Sequence, residues 1–453
     1  VAHEVRVTRP PGTASTQPIR WRQIGIILAS VMLGGFIWLH AAGPGAHAGT
    51  DFGAYLTGAH DVVTGQNPYH DLLTTAPTTT SGDSGLHAHG YVYPPLLAIV
   101  LAVPLLLGFN TTFVWIMWAI INSAAVLWMG WELQHALVIF ADRPADPITQ
   151  RWQRWTAAVL FATASLLPAI VTYDLWLGQA DLLMAALVVG ACGLWLRRNP
   201  WAAAVLAVAI AIKPTMALIL VVWLWKGDWR AALRGAVLAV AFVGASFVVV
   251  GFAALRDYLT FFVQWNAFQA NAEYINQAPY GMLLRLFTVN PFTQPLIVLP
   301  WLVTPLRLVS IGGALWLWVR AVPRQRAVQP LIGMSELLLA LPLIVLLSPL
   351  AEDIHFCIIV PTLVGLAWVA WQQRLTRLPA TWVLWAALAL SCVPRMQELI
   401  YPNRFVPLPG QSDPHLGPLM VLLRSGTLLF LAIAALAAGS VVLQTVKADT
   451  PAS

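Results

Sequence analysis

The sequence predicts an all-α integral membrane protein, a multi-pass helical bundle of about 12 spans, each near the roughly 20 residues a bilayer requires. Three observations carry that prediction. Of 453 residues, 59% are hydrophobic and 10% charged, with mean hydropathy +0.73, which takes the chain out of the soluble globular class. Apolar runs of roughly 17 to 25 residues recur along most of its length, matching a hydrocarbon core about 30 Å thick. The runs are continuous rather than alternating, and hydrocarbon tolerates only helices or closed barrels, so they read as helices. A net charge of +6 would suit nucleic acid, but the Lys and Arg residues sit in short loops beside apolar runs. No nucleic-acid partner is expected.

The first apolar stretch, near 24–39, follows Arg20 and Arg22 as a signal peptide would, yet the chain continues in the same composition. It is read as a retained first helix. Arg6, Arg9, Arg20 and Arg22 precede it, and no Lys or Arg returns until Arg143. Further basic loops lie at Arg197 and Arg198, at 226–234, at 320–326, at Arg374 and Arg377, and at Lys447. Basic loops face the cytoplasm. The expected organisation is therefore a cytoplasmic tail (1–20), one transmembrane domain (21–446) and a cytoplasmic tail (447–453). Segments 41–91, 255–285, 348–355 and 394–415 alternate to the outer face and hold most of the acids and histidines.

Parity closes from residue 232 onward, with spans near 232–253, 300–320, 330–347, 356–371, 379–393 and 417–444. Earlier it does not. Stretches 92–108 and 111–131 count as two passes while Arg143, Arg151 and Arg154 favour the cytoplasm, so one stretch is re-entrant or broken. Residues 201–225 are long for one helix and short for two, and Lys213 with Pro214 at their middle predicts a hairpin dipping into the membrane. Glu336, inside an apolar span, is expected to face Arg320 or Arg324. Cys192, Cys357 and Cys392 lie in apolar segments without ligand spacing.

The first outer segment, 41–91, is the most informative. Phe52, Tyr55, Leu56, Ala59, Val62 and Val63 recur at helical spacing, with Thr57, His60 and Asp61 on the other side. This predicts an interfacial helix beginning just after Asp51 and ended by Gly65, Asn67 and Pro68. On helix logic alone Asp51 is an N-cap. Tyr93 with Pro94 and Pro95 suits a helix start within an aromatic belt. His87 and His89 with Asp83 have a spacing that chance supplies often, so no metal is assigned there.

The order of several short motifs is recognisable. Thr50-Asp51-Phe52-Gly53-Ala54-Tyr55, then Gly65-Gln66-Asn67-Pro68-Tyr69, then Tyr91-Val92-Tyr93-Pro94-Pro95-Leu96 resembles the opening of glycosyltransferase family 87, in the GT-C superfamily. Gly178-Gln179-Ala180-Asp181 is similar to that family's Gly-Gln-x-Asn step, and Ile212-Lys213-Pro214 to its Leu-Lys-x-x-Pro region. Asn276-Gln277-Ala278-Pro279-Tyr280-Gly281 with Arg285, and Ser348-Pro349 with His355, resemble two further segments. Asp181 stands where Asn is usual, Ala278 where Ser is, and Glu352-Asp353 where Trp is common.

The resemblance implies a GT-C-type bundle in the plasma membrane of a prokaryote, with its active site on the outer face. It implies transfer of a hexose, mannose by preference, from a polyprenyl-phosphate donor to a lipid or glycan acceptor, with no cofactor. Such a donor already carries a good leaving group. The enzyme must deprotonate the acceptor hydroxyl and stabilise the departing phosphate. By the resemblance Asp51 is the general base of an inverting displacement, and Lys213, Arg285 and His355 are the candidate groups for the phosphate. Tyr55, Tyr93, Gln179, Asn276, Gln277, Glu352 and Asp353 complete the candidate substrate contacts. Plainer roles stand beside these: Lys213 snorkelling, Arg285 anchoring an outer amphipathic helix, and His355 satisfied at a helix start. No Asp-x-Asp pair occurs, which fits a metal-independent donor. A lipid-linked oligosaccharide ligase or polymerase is the nearest alternative, although its largest outer loop normally comes late. A secondary transporter should show paired halves, and none is evident.

Overall fold

The computed structural model describes residues 24–25, 50–70, 91–138, 146–269, 272, 276–290, 292–393 and 417–449. The first span beyond residue 25, together with His87, His89 and Asp83, lies outside them. Among the described residues every regular element is helical. Helix α1 (Thr50–Thr64) carries Asp51 inside its first turn rather than before it. Its apolar face is the expected one, with Phe52, Tyr55 and Ala59 buried and Thr57 and His60 exposed. The burial is against protein, a correction to a helix simply resting on lipid: Phe52 meets Trp115 edge-on at 4.6 Å, and Tyr55 meets Trp118 at 5.9 Å. Beyond the left-handed Gly65, the Asn67 side chain accepts the Tyr69 amide, and the Tyr69 hydroxyl donates to the Tyr93 carbonyl at 2.7 Å. The polar segment after α1 thereby positions the backbone of Tyr93.

Among the described residues, five helical stretches are long and apolar enough to cross a bilayer: Thr111–Leu137, Trp229–Val250, Pro300–Ala321, Asp353–Gln372 and Val421–Asp449. Pro147–Leu166 with Ala169–Leu177 makes a sixth, bent by 81°, where Pro168 interrupts the hydrogen-bond ladder. Other apolar stretches that the sequence counts as passes are split into shorter arms. Helix α2 (Leu96–Leu106) has only 11 residues, about 17 Å. Then come α3 (Thr111–Leu137), started by the Asn110 side chain, and α4 (Pro147–Leu166), capped by Asp146 with Pro147 in its first turn. Helices α5 (Ala169–Leu177) and α6 (Asp181–Leu196) follow, joined by a tight turn.

Residues 201–225 form the hairpin expected of them. Helix α7 (Trp201–Ile212) stops at Lys213, whose backbone is extended because the next residue is proline. A 3₁₀ turn over Pro214–Ala217 leads back into α8 (Leu218–Trp225). The arms return to one end: Trp223 of α8 stacks on Trp195 of α6 at 5.9 Å. Both arms meet α9 (Trp229–Val250) at Gly235, where an added Cβ would lie 2.7 Å from Leu220 and 3.9 Å from the Ala203 oxygen. The remaining helices are α10 (Phe252–Gln269), α11 (Pro279–Phe287), α12 (Val303–Ala321), α13 (Pro330–Leu338), α14 (Leu341–Leu346), α15 (Val360–Gln372), α16 (Pro379–Ser391) and α17 (Pro418–Asp449).

Arg197, Lys226, Arg326 and Lys447 lie at the end of the bundle reached by these arms. Arg197 forks onto Glu132 at 2.6 and 2.8 Å, a bidentate geometry suited to a guanidinium. Glu336 is paired with Lys226 at 2.5 Å and Lys447 at 2.7 Å rather than with Arg320 or Arg324. Lys226 also donates to the carbonyls of Pro323 and Gln325. The Lys226 ammonium is buried against this carboxylate, whereas Arg320 and Arg324 lie over the rings of Trp316 and Trp225.

Candidate functional site

At the other end of α6, about 24 Å away for its 16 residues, a second polar cluster is assembled around a turn. Helix α5 closes with Gly178 in the left-handed region, φ 72°, and the Gln179 amide reaches back to the Asp174 carbonyl at 3.0 Å. Trp118 of α3 donates to the Gly178 carbonyl at 3.1 Å. On the opposite side a Cβ at Gly178 would lie 2.7 Å from that of Phe52 and 2.8 Å from Trp115. The turn is therefore clamped between α1 and α3. Gly178→Ala should cost about 1–2 kcal/mol from backbone handedness alone, with the clash added. A lower melting temperature together with reduced transfer is the expected result, and an unchanged melt would show that the turn relaxes freely.

What the turn presents is Gln179. Its Nε2 donates to Asp51 Oδ2 at 2.7 Å. Its Oε1 accepts the hydroxyls of Tyr55 at 2.5 Å and Tyr93 at 3.4 Å. Four of the residues expected at the site are thus joined by one amide, whose orientation Asp51 dictates: its carboxylate can only accept, so the nitrogen faces it and the oxygen is left to the two phenols. Burial pushes the Tyr93 phenol up to about 12, with Lys213 opposing the rise and Asp181, Glu352 and Asp51 adding to it. Burial also raises Tyr55, reinforced by Tyr93, Asp51 and Asp181. Both tyrosines remain neutral donors at physiological pH.

Lys213, at the tip of the hairpin, is 2.6 Å from Asp181 Oδ1 and 5.6 Å from the centre of the Tyr93 ring. It is buried and paired, so the snorkelling reading is corrected: the broken helix aims its lysine inward. His355 lies in a 3₁₀ turn, Asp353–Ile359, that begins the span. Its Nδ1 accepts the Glu352 amide at 3.1 Å while the Glu352 side chain accepts in return, a reciprocal cap. With Nδ1 so used, a proton on the neutral ring belongs on Nε2. Asp353 is held by Arg424 of α17 at 3.0 Å. Asp51, Tyr93, Glu352 and His355 keep partial exposure, whereas Gln179, Asp181 and Lys213 are buried. The former make a rim and the latter a floor.

Asn276, Gln277 and Arg285 are engaged differently. Asn276 donates to the Pro349 carbonyl and accepts the Ala278 amide. Gln277 accepts from Ser425 at 2.6 Å, and Ser425 accepts from Arg285 at 2.7 Å. Arg285 is 2% exposed, which corrects its reading as a membrane-facing anchor. These three residues stitch α11 to α17 and to the segment before His355, supporting the rim from behind. The sequence reading passed over Asp181 as a contact and over Asp174 altogether. Asp181 carried a signal, as the acid following the Gly-Gln step; Asp174 lies inside an apolar run and carried none.

A family model described as glycosyltransferase family 87 matches residues 91–349. That range contains Tyr93, Gln179, Asp181, Lys213, Asn276, Gln277 and Arg285, while Asp51 lies well before it and His355 just after it, and both join the cluster by geometry. No curated protein and no solved structure matches the chain.

Proposed function

The chain belongs to glycosyltransferase family 87 and is a membrane glycosyltransferase; from that premise we propose that it transfers a hexose, mannose by preference, from a polyprenyl-phosphate donor. The acceptor is a lipid or glycan, the transfer inverts the anomeric centre without a metal, and the site faces away from the cytoplasm. The observation that carries this reading is the Asp51–Gln179 contact. A partly exposed carboxylate, oriented by an amide that two tyrosines fix in turn, is a general base prepared before substrate arrives.

In this mechanism Asp51 takes the proton of the acceptor hydroxyl as its oxygen bonds to the anomeric carbon. The bond from that carbon to the phosphate oxygen breaks, and its electrons leave with the phosphate monoester. Lys213 and the Nε2–H of His355 are the groups placed to meet that growing charge. Lys213 is already shared with Asp181, so its net field is smaller than that of a lone ammonium.

An apolar groove of about 700 Å³ supports the lipid-linked donor. Its lining includes Pro94 and Pro214, each one residue from Tyr93 or Lys213, and continues along α9 through Val243 and Phe247 to Tyr258 of α10. Val248 and Phe252 at its edge are 82% exposed each, so the groove opens where hydrocarbon would surround a membrane protein. A prenyl chain lying in it would bring its phosphate beside Lys213. The test is incubation of purified, bilayer-reconstituted protein with polyprenyl-phosphate-mannose and a lipid extract. A new mannolipid of inverted anomeric configuration is expected. A donor truncated by several methylenes should lose tenfold or more in kcat/KM, at about 0.8 kcal/mol per buried CH₂. Failure of every polyprenyl-phosphate hexose to yield product would sink the donor assignment.

A further inference from the structure

Beneath the floor lies a second carboxylate that the transfer mechanism does not use. Asp174, in the last turn of α5, is fully buried. Its Oδ2 accepts the Leu182 amide, the residue after Asp181, at 3.3 Å. Its Oδ1 has no hydrogen-bond partner among the described residues, and neither does Asp181 Oδ2. Asp181 spends its other oxygen on Lys213. Two buried carboxyl groups thus share one neighbourhood, each satisfied on one oxygen and unsatisfied on the other, and the nearby lysine is paired with Asp181.

A buried charge without a partner costs several kcal/mol, and a group in that position neutralises instead. Two like carboxylates in one buried site cannot both ionise freely, and sharing one proton relieves both the charge and the orphan oxygens. Around the pair stand Lys213, which is committed to Asp181, and Asp51, which adds negative charge. Cys357 lies beside them, its Sγ donating to the Ile170 carbonyl at 3.3 Å, and offers no positive charge. His355 caps Glu352 through Nδ1.

We propose that Asp174 is a neutral carboxylic acid whose Oδ1 carries a proton given as a hydrogen bond toward Asp181 Oδ2, making Asp174–Asp181–Lys213 a chain of zero net charge. Asp174 is then a positioning residue. It holds the Asp181 carboxylate from below as Lys213 holds it from the side, and it keeps the floor from repelling an anionic donor. The last consequence rests on the proposed lipid-phosphate donor; the proton itself does not.

The experiment reads the proton directly. Infrared spectra of the full protein at neutral pH should contain a protonated-carboxyl C=O band that shifts on isotopic labelling of aspartate and disappears in Asp174→Asn. Asn keeps a side-chain donor toward Asp181, so donor KM should stay within a few-fold of the parent. Asp174→Leu leaves the Asp181 oxygen unsatisfied and should raise donor KM by roughly tenfold or more. The labelled parent requires no variant to fold: absence of any protonated aspartyl band in it would overturn the proposal. Persistence of the band unchanged in Asp174→Asn would overturn it as well. A band that behaves as expected in a protein inactive with every lipid-phosphate donor would leave the proton in place and remove only its link to donor binding.

Discussion

Asp51→Asn should fold like the parent and lose nearly all transfer. The substituted amide oxygen can still accept the Gln179 Nε2–H that holds Asp51 Oδ2 at 2.7 Å, and losing an acid from the first turn of α1 costs only about 0.3–1 kcal/mol of helix-dipole stabilisation. Stability should therefore change little. Chemistry is another matter, because Asn cannot accept the proton of the acceptor hydroxyl, and loss of a general base typically removes about 100-fold to 10,000-fold of rate. The check is a pair of measurements on one preparation: the thermal melt, and initial rates at saturating donor. A well-folded Asp51→Asn protein turning over at near-parent rate would reduce Asp51 to a helix-end residue and end its assignment as the base.

Lys213→Met should be damaging in two separable ways. It strands Asp181, which is 3% exposed and whose second oxygen has no partner among the described residues. Removing one member of such a buried pair typically costs about 3–5 kcal/mol. Adding Asp181→Asn removes the stranded charge, so the double variant should regain most of that stability. If Lys213 also meets the donor phosphate, the double variant folds but its donor KM rises by an order of magnitude or more, the worth of a charged hydrogen bond of about 1.5–3 kcal/mol. Detergent-resistant folding with a parental donor KM in the double variant would show that the pair is a strut and that the phosphate is met elsewhere.

The parts of this molecule legible in its sequence are those written in local chemistry. Hydropathy marks the apolar stretches, and Pro214 beside Lys213 announces the break that becomes the hairpin tip. The period of Phe52, Tyr55 and Ala59 identifies the buried face of α1. What sequence reasoning could not supply is what those faces bury against. The contacts that make the site, Gln179 with Asp51 and with Tyr55, join residues 128 and 124 positions apart, and nothing periodic records such a pairing. The same holds for Glu336, assigned by proximity in sequence to Arg320 or Arg324 and found with Lys226 and Lys447. Hydropathy does not fix the number of passes, for a related reason. Hydropathy sees composition, whereas the split of a stretch such as 330–347 into α13 and α14 is a matter of packing and of Pro342.

The knot at Glu336 also bears on how the protein is made. Chains emerge from the ribosome N-terminus first, so Lys226 is waiting when Glu336 is synthesised, and Lys447 arrives only after α15, α16 and most of α17 have followed. Between the two lysines' arrivals the chain lays down Glu352, His355 and Arg424, the rim of the proposed site and its brace. The second lysine then joins α17 to the Ala321 carbonyl at 2.8 Å as well as to Glu336. A nascent chain halted just before that point has the floor, the rim and the base but lacks the second lysine at Glu336. Glu336 thus ties chain laid down before the rim to chain laid down after it, so one buried carboxylate spans the interval in which the rim is made.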